Sequence, residues 1–352
     1  MTTYDFDRDV DLDFRNGKVQ LVSTNSFIEL KSAKTNLDEH YSNGLSKYIQ
    51  QISINVIEDE KECKNIWQKF SKNESLFDNW DFRKLFFDGY DSKPYFLTIK
   101  KGDSVLACLP LMYQKPLNEF TWFGSDWMEN NRFFTVNKFY IPILLYFAPK
   151  PLSLPGLNMR DIDGIPEFIK FEEDDPDFFL NLEEYGNMDN YLKSLNKKKR
   201  YNLKRDHRII ESKNPLFVIG GDFKSDFYNL IEKRMHSLGE MAYFEEDRGN
   251  RKAFDNLFEY KGKDFSVDLW TIIIDGDVAV CDLVVFYNNT VYPLLGGNNV
   301  DKYSGIGNYI NFKEIDLALK QGYKKIDYLQ ISYGWKDKYL KEEKRYKIDL
   351  PK

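Results

Sequence analysis

The sequence predicts an α+β protein of two similar lobes, each a mixed, mostly antiparallel sheet flanked by helices, derived from an internal duplication. Three observations point there. A chain of 352 residues exceeds the length at which a single core stops growing, and 42% hydrophobic with 16% aromatic content can fill two cores. The hairpin "KGDSVLACLPLMY" at 101–113 overlies "DGDVAVCDLVVFY" at 275–287 with an offset of about 174 residues. Each copy is preceded by segments of helical spacing, which makes the match one between lobes and not merely between Gly-Asp turns.

Taken in order, residues 1–50 are polar with one short strand candidate, "KVQLV" at 18–22, and read as an N-terminal arm or edge hairpin. The N-terminal lobe, 51–180, opens with apolar residues at helical spacing: Ile66, Trp67 and Phe70, then Phe82, Leu85 and Phe86. A hairpin over 94–113 follows, turning at Lys101-Gly102-Asp103. Eight of the twelve prolines lie between Pro110 and Pro176, mixed with large apolar residues, so this stretch is a structured crossover and not a low-complexity linker. The C-terminal lobe, 181–352, carries the second hairpin, a strand "TVYPLLGG" at 290–297, a helix from Tyr309 to Gln321 stopped by Gly322, and a strand "KKIDYLQI".

Composition removes several function classes. A net charge of −6 disfavours a protein that grips phosphate backbones over a wide surface. Cys63, Cys108 and Cys281 are odd in number and widely spaced, which indicates neither a disulfide framework nor a zinc cluster and suits a reducing, cytoplasmic setting. The N-terminus lacks a basic, apolar leader, and the best apolar run, "FYIPILLYF" at 139–147, is too short to span a bilayer. No HExxH, paired metal ligands or GxSxG elbow occurs, so no metal site and no serine hydrolase is expected.

The loop Lys302-Tyr-Ser304-Gly305-Ile306-Gly307-Asn308 lies between a strand and a helix. Glycines there either serve an ordinary turn capped by Ser304 or Asn308, or let an anion approach the free N–H groups and positive end of the helix. The pattern of a basic residue, two spacers, Gly, one spacer and Gly resembles the acyl-CoA pyrophosphate loop of GNAT acyltransferases, with Lys302 where Arg or Gln is usual. Together with "YLKSLNKKKRYNLKR" (191–205), "YPLLGG" (292–297) and "GYKKIDYLQISYGWKDKYL" (322–340), it is similar to the tandem-GNAT proteins of the CelD/BioF2-like group, relatives of the Fem-type peptidyl transferases. The resemblance spans roughly residues 60–345 and departs in one respect, a Trp335-Lys336 pair where Tyr-Lys is common. It implies two GNAT-like lobes and acyl-CoA as co-substrate. It also implies a tyrosine acid after the last strand, Tyr333 or Tyr339, and Lys336 beside the reacting carbonyl.

Transfer from a thioester to an amine needs a base, because an amine of pKa about 10.4 is protonated at neutral pH. Asp282 interrupts an otherwise apolar strand and is the first candidate; the alternative is a structural Asp paired with a neighbouring element. Glu240 in "HSLGEMAYF" is the second. Lys336 has the alternative of a solvent-exposed helix lysine. The run "KKKRYNLKRDHR" (197–208) holds seven Lys and Arg, among them Lys199 and Arg200, and either clamps a phosphorylated acceptor or the acceptor stem of a charged tRNA, or is one solvated helix face. In the first copy the matching loop, "FTWFGSDWMENNRFF", has bulky residues and two acids, so only the C-terminal lobe is expected to bind acyl-CoA, with Asp126 or Glu129 open to an amine. The expected function is an N-acyltransferase acting on a small metabolite, sugar or cell-envelope precursor. An aminoacyl-tRNA-dependent peptidyl transferase and a non-catalytic binding module are the alternatives.

Overall fold

The computed structural model describes residues 52–239, 244, 247–332 and 334–351, with the dipeptides Leu12–Asp13 and Gln20–Leu21, which pair antiparallel. The remainder of the N-terminal arm lies outside the described residues. The N-terminal lobe contains β1 (Ser53–Ile57), α1 (Glu60–Phe70), α2 (Trp80–Phe87), β2 (Pro94–Lys101), β3 (Ser104–Gln114), β4 (Glu119–Trp122), β5 (Phe134–Thr135), α3 (Ile141–Phe147), β6 (Leu152–Asn158) and β7 (Glu172–Asn181). The C-terminal lobe contains α4 (Met188–Ser194), α5 (Lys197–Glu211), β8 (Leu216–Ile219), α6 (Lys224–Leu238), α7 (Arg248–Glu259), β9 (Ser266–Ile274), β10 (Asp277–Tyr287), β11 (Thr290–Asn298), α8 (Ile306–Lys320), β12 (Lys325–Asp327), the single turn α9 (Lys336–Tyr339) and β13 (Lys341–Leu350).

Local chemistry sets many of these boundaries. Asp59 accepts the Glu62 N–H at 2.8 Å and Asn79 that of Phe82 at 2.9 Å, so α1 and α2 each begin at a capping side chain contributing about 1 kcal/mol. Cys63, Ile66 and Trp67 then share the buried face of α1.

All thirteen strands form one sheet in the order β8-β9-β10-β11-β12-β7-β13-β6-β4-β3-β2-β1, with β5 beside β3. The two lobes exchange strands at its centre. Thus β7, at the end of the first lobe, pairs with β12 of the second, and the C-terminal strand β13 pairs with β6 of the first as well as with β7. The duplication extends to detail: Thr98 opposes Cys108 and Thr271 opposes Cys281, and the register shifts after Ile99 in one lobe and after Ile272 in the other, all at an offset of about 173 residues. Both faces of β10 are covered. Cys281, Leu283 and Val285 pack with Phe227 and Ile231 of α6, whereas Val280 and Val284 lie on the side of α8 with Ile306, Ile310 and Ile315.

Lys336 is placed at this exchange and corrects both expectations for it. It is neither a solvent-exposed helix lysine nor free to face a substrate: it is 7% exposed, and its ammonium donates to the carbonyls of Tyr328, Leu329 (3.2 Å) and Gln330 (2.5 Å). Three acceptors require three N–H donors, so the group is held as the cation. Burial lowers its pKa, opposed by Glu129, Asp177 and Asp327 around it. Glu129, half-buried on the loop after β4, also accepts the Gln330 N–H at 2.8 Å, so its carboxylate ties one lobe to the other. Replacing Lys336 by Met strands three carbonyls and the facing carboxylates without a donor. Lys336→Met should therefore lower the unfolding free energy by roughly 3–5 kcal/mol, read from urea denaturation, and Lys336→Arg should not restore it, because a planar fork cannot reach three carbonyls grouped about one nitrogen.

Candidate active site

The site begins where two strands part. β11 and β12 run parallel and pair only at Thr290–Lys325 and Val291–Ile326. Beyond Ile326 the chain follows β7: Tyr328 N–H donates to the Phe178 carbonyl (2.8 Å) and Phe178 N–H to that of Leu329 (3.1 Å). Leu329 and Ile331 take positive φ of 64° and 60° to make this path, which the Lys336 ammonium caps. From Tyr292 to Asn298, β11 has no strand partner on that side among the described residues, and Pro293, Leu295 and Gly296 are half-buried along the opening.

At its base lie two carboxyls. Asp282 of β10 faces α8 between Val280 and Val284 and leans across Gly296 of β11. A Cβ at 296 would fall 1.7 Å from its Oδ1, so only glycine fits there. Glu314 of α8 and Tyr328 complete the group, all three under 10% exposed. Burial pushes the Asp282 pKa up to about 7, opposed by its contact with Glu314 and by Arg234, and burial together with the Asp282 charge pushes that of Glu314 well up. Both oxygens of Glu314 lack a hydrogen bond of normal geometry. Of the expected catalytic residues, Asp282 is therefore at the centre of a buried cluster, whereas Tyr333 and Glu240 lie outside the described residues. Tyr339 is half-buried, its carbonyl accepting the Tyr191 hydroxyl at 3.2 Å.

The glycine loop stands at the entrance of α8. Gly305 adopts φ +86°, and a Cβ there would press within 3.0 Å of Asp206, so its role is set by the protein itself. Gly307 differs: its nearest neighbour would be Asn298 Nδ2 at 3.7 Å, and nothing within the protein demands a glycine. Ile306 is corrected to a core residue, fully buried, its N–H donated to the Tyr303 carbonyl at 3.1 Å. Asn308 is anchored on Asp206 (2.7 Å), Lys302 is ion-paired with Asp277 across the hairpin turn, and Ser304 is exposed. The loop thus offers backbone at Gly307 and Asn308, the first turn of a helix, more than it offers cationic side chains.

The N-terminal lobe has the matching parting and fills it. β4 and β6 pair at Phe120–Leu152, and Asn131 then bridges the gap, donating to the Gly156 carbonyl (2.8 Å) and, through Nδ2, to that of Pro155 (2.9 Å), while accepting from the buried Arg83 (2.6 Å). Gly124 is covered by Met128, and α3 has only seven residues. Asp126 is exposed, held by Gln114 through its carboxylate (2.6 Å) and its N–H (2.9 Å).

On the outer face, α4, α5 and α8 border an open groove of about 1380 Å³, larger than the usual small-molecule site. Lys197, Lys198, Arg200, Lys204 and Arg208 of α5 and Lys313 and Lys320 of α8 line it against Asp189 and Asp316. Lys313 and Lys320 are themselves paired with Glu211 and Asp316, both at 2.7 Å. Arg200 also reaches the last carbonyls of α4 at 3.4–3.5 Å, whereas Lys199 is half-buried beside the groove. Tyr201, 58% exposed, stands among the cations.

Sequence reasoning missed Glu314, Asp206 and Tyr328. Glu314 had a signal: it falls four residues after Ile310 and four before Ala318, on the buried stripe of α8 where a charge is out of place.

Comparison with known proteins agrees with this geometry. Residues 197–337 match the family model of an acetyltransferase (GNAT) domain. No curated protein matches the sequence. Among solved structures, FemX superposes with a TM-score of 0.56 at 10% identity, covering 84% of this chain and 97% of FemX. A conserved protein of unknown function from Bacteroides thetaiotaomicron VPI-5482 gives 0.53 at 14% identity, covering 84% and 99%. L-PGS from Bacillus licheniformis gives 0.51 at 12%, covering 82% and 91%. At such identities the likeness is one of fold, and residues 197–337 are similar to a GNAT-type acetyltransferase domain.

Proposed function

We propose that the protein is a tandem-GNAT N-acyltransferase, similar to the CelD/BioF2-like group, moving an acyl group from acyl-CoA to an amine of a small metabolite, sugar or cell-envelope precursor. One observation carries the reading: in the C-terminal lobe alone, parted strands open above a buried carboxyl and below a helix entrance with an unexplained glycine. The pyrophosphate would lie against the backbone of Gly307 and Asn308, and the pantetheine arm would follow the free edge of β11. Asp282, with its pKa near neutrality, is suited to take a proton from the acceptor ammonium. The freed amine attacks the thioester carbon; as the C–N bond forms and the C–S bond breaks, the nitrogen's second proton replaces the one that the acid gives to the sulfur, which leaves as a thiol. Tyr333 is the acid that the family resemblance assigns to that sulfur.

The basic groove favours a second reading, in which the acyl group arrives as an ester on tRNA. Five cations on one helix, with Tyr201 among them, suit a phosphate chain and a stacked base. Ligand-dependent melting separates the two. Under the acyl-CoA reading, CoA at a hundredfold excess over its Kd stabilises the protein by about 2.7 kcal/mol, whereas charged tRNA does so under the other.

Titration with CoA should give one site per chain. Gly307→Val should abolish the CoA-induced rise in Tm with the circular dichroism unchanged, since its Cβ meets nothing internal closer than 3.7 Å. Unchanged CoA affinity in that variant would remove the loop from the site. Asp282→Asn should lower kcat by roughly 10²-fold or more with the donor KM nearly constant, because only proton removal is lost; wild-type turnover would return Asp282 to a structural role.

A further inference from the structure

Glu314 has no task in the chemistry just described, yet it is the least comfortable side chain near the site. It is 1% exposed, and neither oxygen meets a donor of normal geometry. Left ionised there, it would cost several kcal/mol, and more with Asp282 charged beside it. Protonated, it costs far less and gains an O–H directed at the neighbouring carboxylate. The titratable groups facing the pair are Tyr328 after β12, Tyr191 of α4 behind it, and Arg234 of α6. The tyrosines are buried and held in their neutral form, so Arg234 supplies the positive charge.

We propose that Glu314 retains one proton through the whole cycle and donates it as a hydrogen bond to Asp282, so that the two carboxyls carry a single negative charge, placed on the oxygen facing the cleft. Glu314 is a positioning residue. In the transfer step an N–H bond of the acceptor ammonium breaks and an O–H bond forms on Asp282; the Glu314 O–H is unchanged, and Asp282 later releases its proton to water. The electrostatics agree: burial and the Asp282 charge hold Glu314 the more firmly protonated, and burial raises Asp282 to about 7. Gly296 makes the arrangement possible by leaving the space over which the Asp282 carboxyl reaches the opening.

The inference rests on the acyltransfer reading for its consequence, but the proton is readable without turnover. Infrared spectroscopy at pH 9, above the range in which Asp282, Asp177 and Glu129 ionise, should show the carbonyl stretch of a protonated buried acid in the wild type and in Asp282→Asn, and its loss in Glu314→Gln. Absence of the band in the wild type, or its survival in Glu314→Gln, overturns the proposal whether or not any acceptor is turned over. Where turnover is measured, Glu314→Gln supplies an N–H in place of the O–H, so its kcat/KM profile should keep its acid limb within about half a pH unit of wild type. Glu314→Leu supplies none and should move the limb upward by about one unit or more. Equal limbs in the two variants would reduce Glu314 to packing. Failure of the wild type to transfer any acyl group to an amine, with the band present and assigned as expected, would sink the acyltransfer reading and leave the shared proton standing.

Discussion

The ammonium of Lys336 is the constraint on which the rest of the molecule depends. Three successive carbonyls turned toward one point are unstable in a dry interior, and a cation with three donors resolves them at once. Because those carbonyls belong to the chain just past β12, the clamp also decides where that chain runs: toward β7 and away from β11. The opening that makes a site is therefore a by-product of satisfying backbone polar groups elsewhere. Glu129 places the same point under the control of the other lobe.

Duplication produced two equivalent partings, and the side chains then made them unequal. Asn131 with Arg83 rebuilds, in one lobe, the backbone hydrogen bonds that strand separation had removed. In the other the corresponding edge of β11 has no strand partner among the described residues, and Gly296 leaves room there for the Asp282 carboxyl. An unpaired strand edge next to acidic groups of shifted pKa is a costly arrangement for stability alone, and its retention in one copy only is the structural reason for placing the chemistry there.

Much of the fold could be read from the sequence because it is written in short periods. The helical spacing of Ile66, Trp67 and Phe70, the two Gly-Asp hairpins and the order strand, glycine loop, helix, strand all recur in the structure, although the helix begins three residues earlier, at Ile306, and the last strand shrinks to Lys325–Asp327. Asp282 was legible as a charge in an apolar strand. The strand exchange was not, since β7 and β13 pair with residues far along the chain and no local pattern encodes a partner. Lys336 misled for a related reason: its acceptors are created by the path of residues 328–330, which follows from that exchange. Gly305 and Gly307 read alike as letters, and only their surroundings separate a glycine the fold requires from one it does not.

The exchange also sets an order of events during synthesis. The sheet of the first lobe ends on β6, and the strand that covers this edge, β13, follows the second lobe's other strands in the chain and is synthesised after them. Until then Leu152, Leu154 and Leu157 belong to an incomplete core with a bare strand edge, the kind of surface that invites pairing with other chains. The first lobe can collapse early but cannot close early, and its completion is delayed until the candidate site of the second lobe has been made. A truncated chain would thus lose the integrity of its beginning along with its end, and the few residues after α9 act as the latch for both halves.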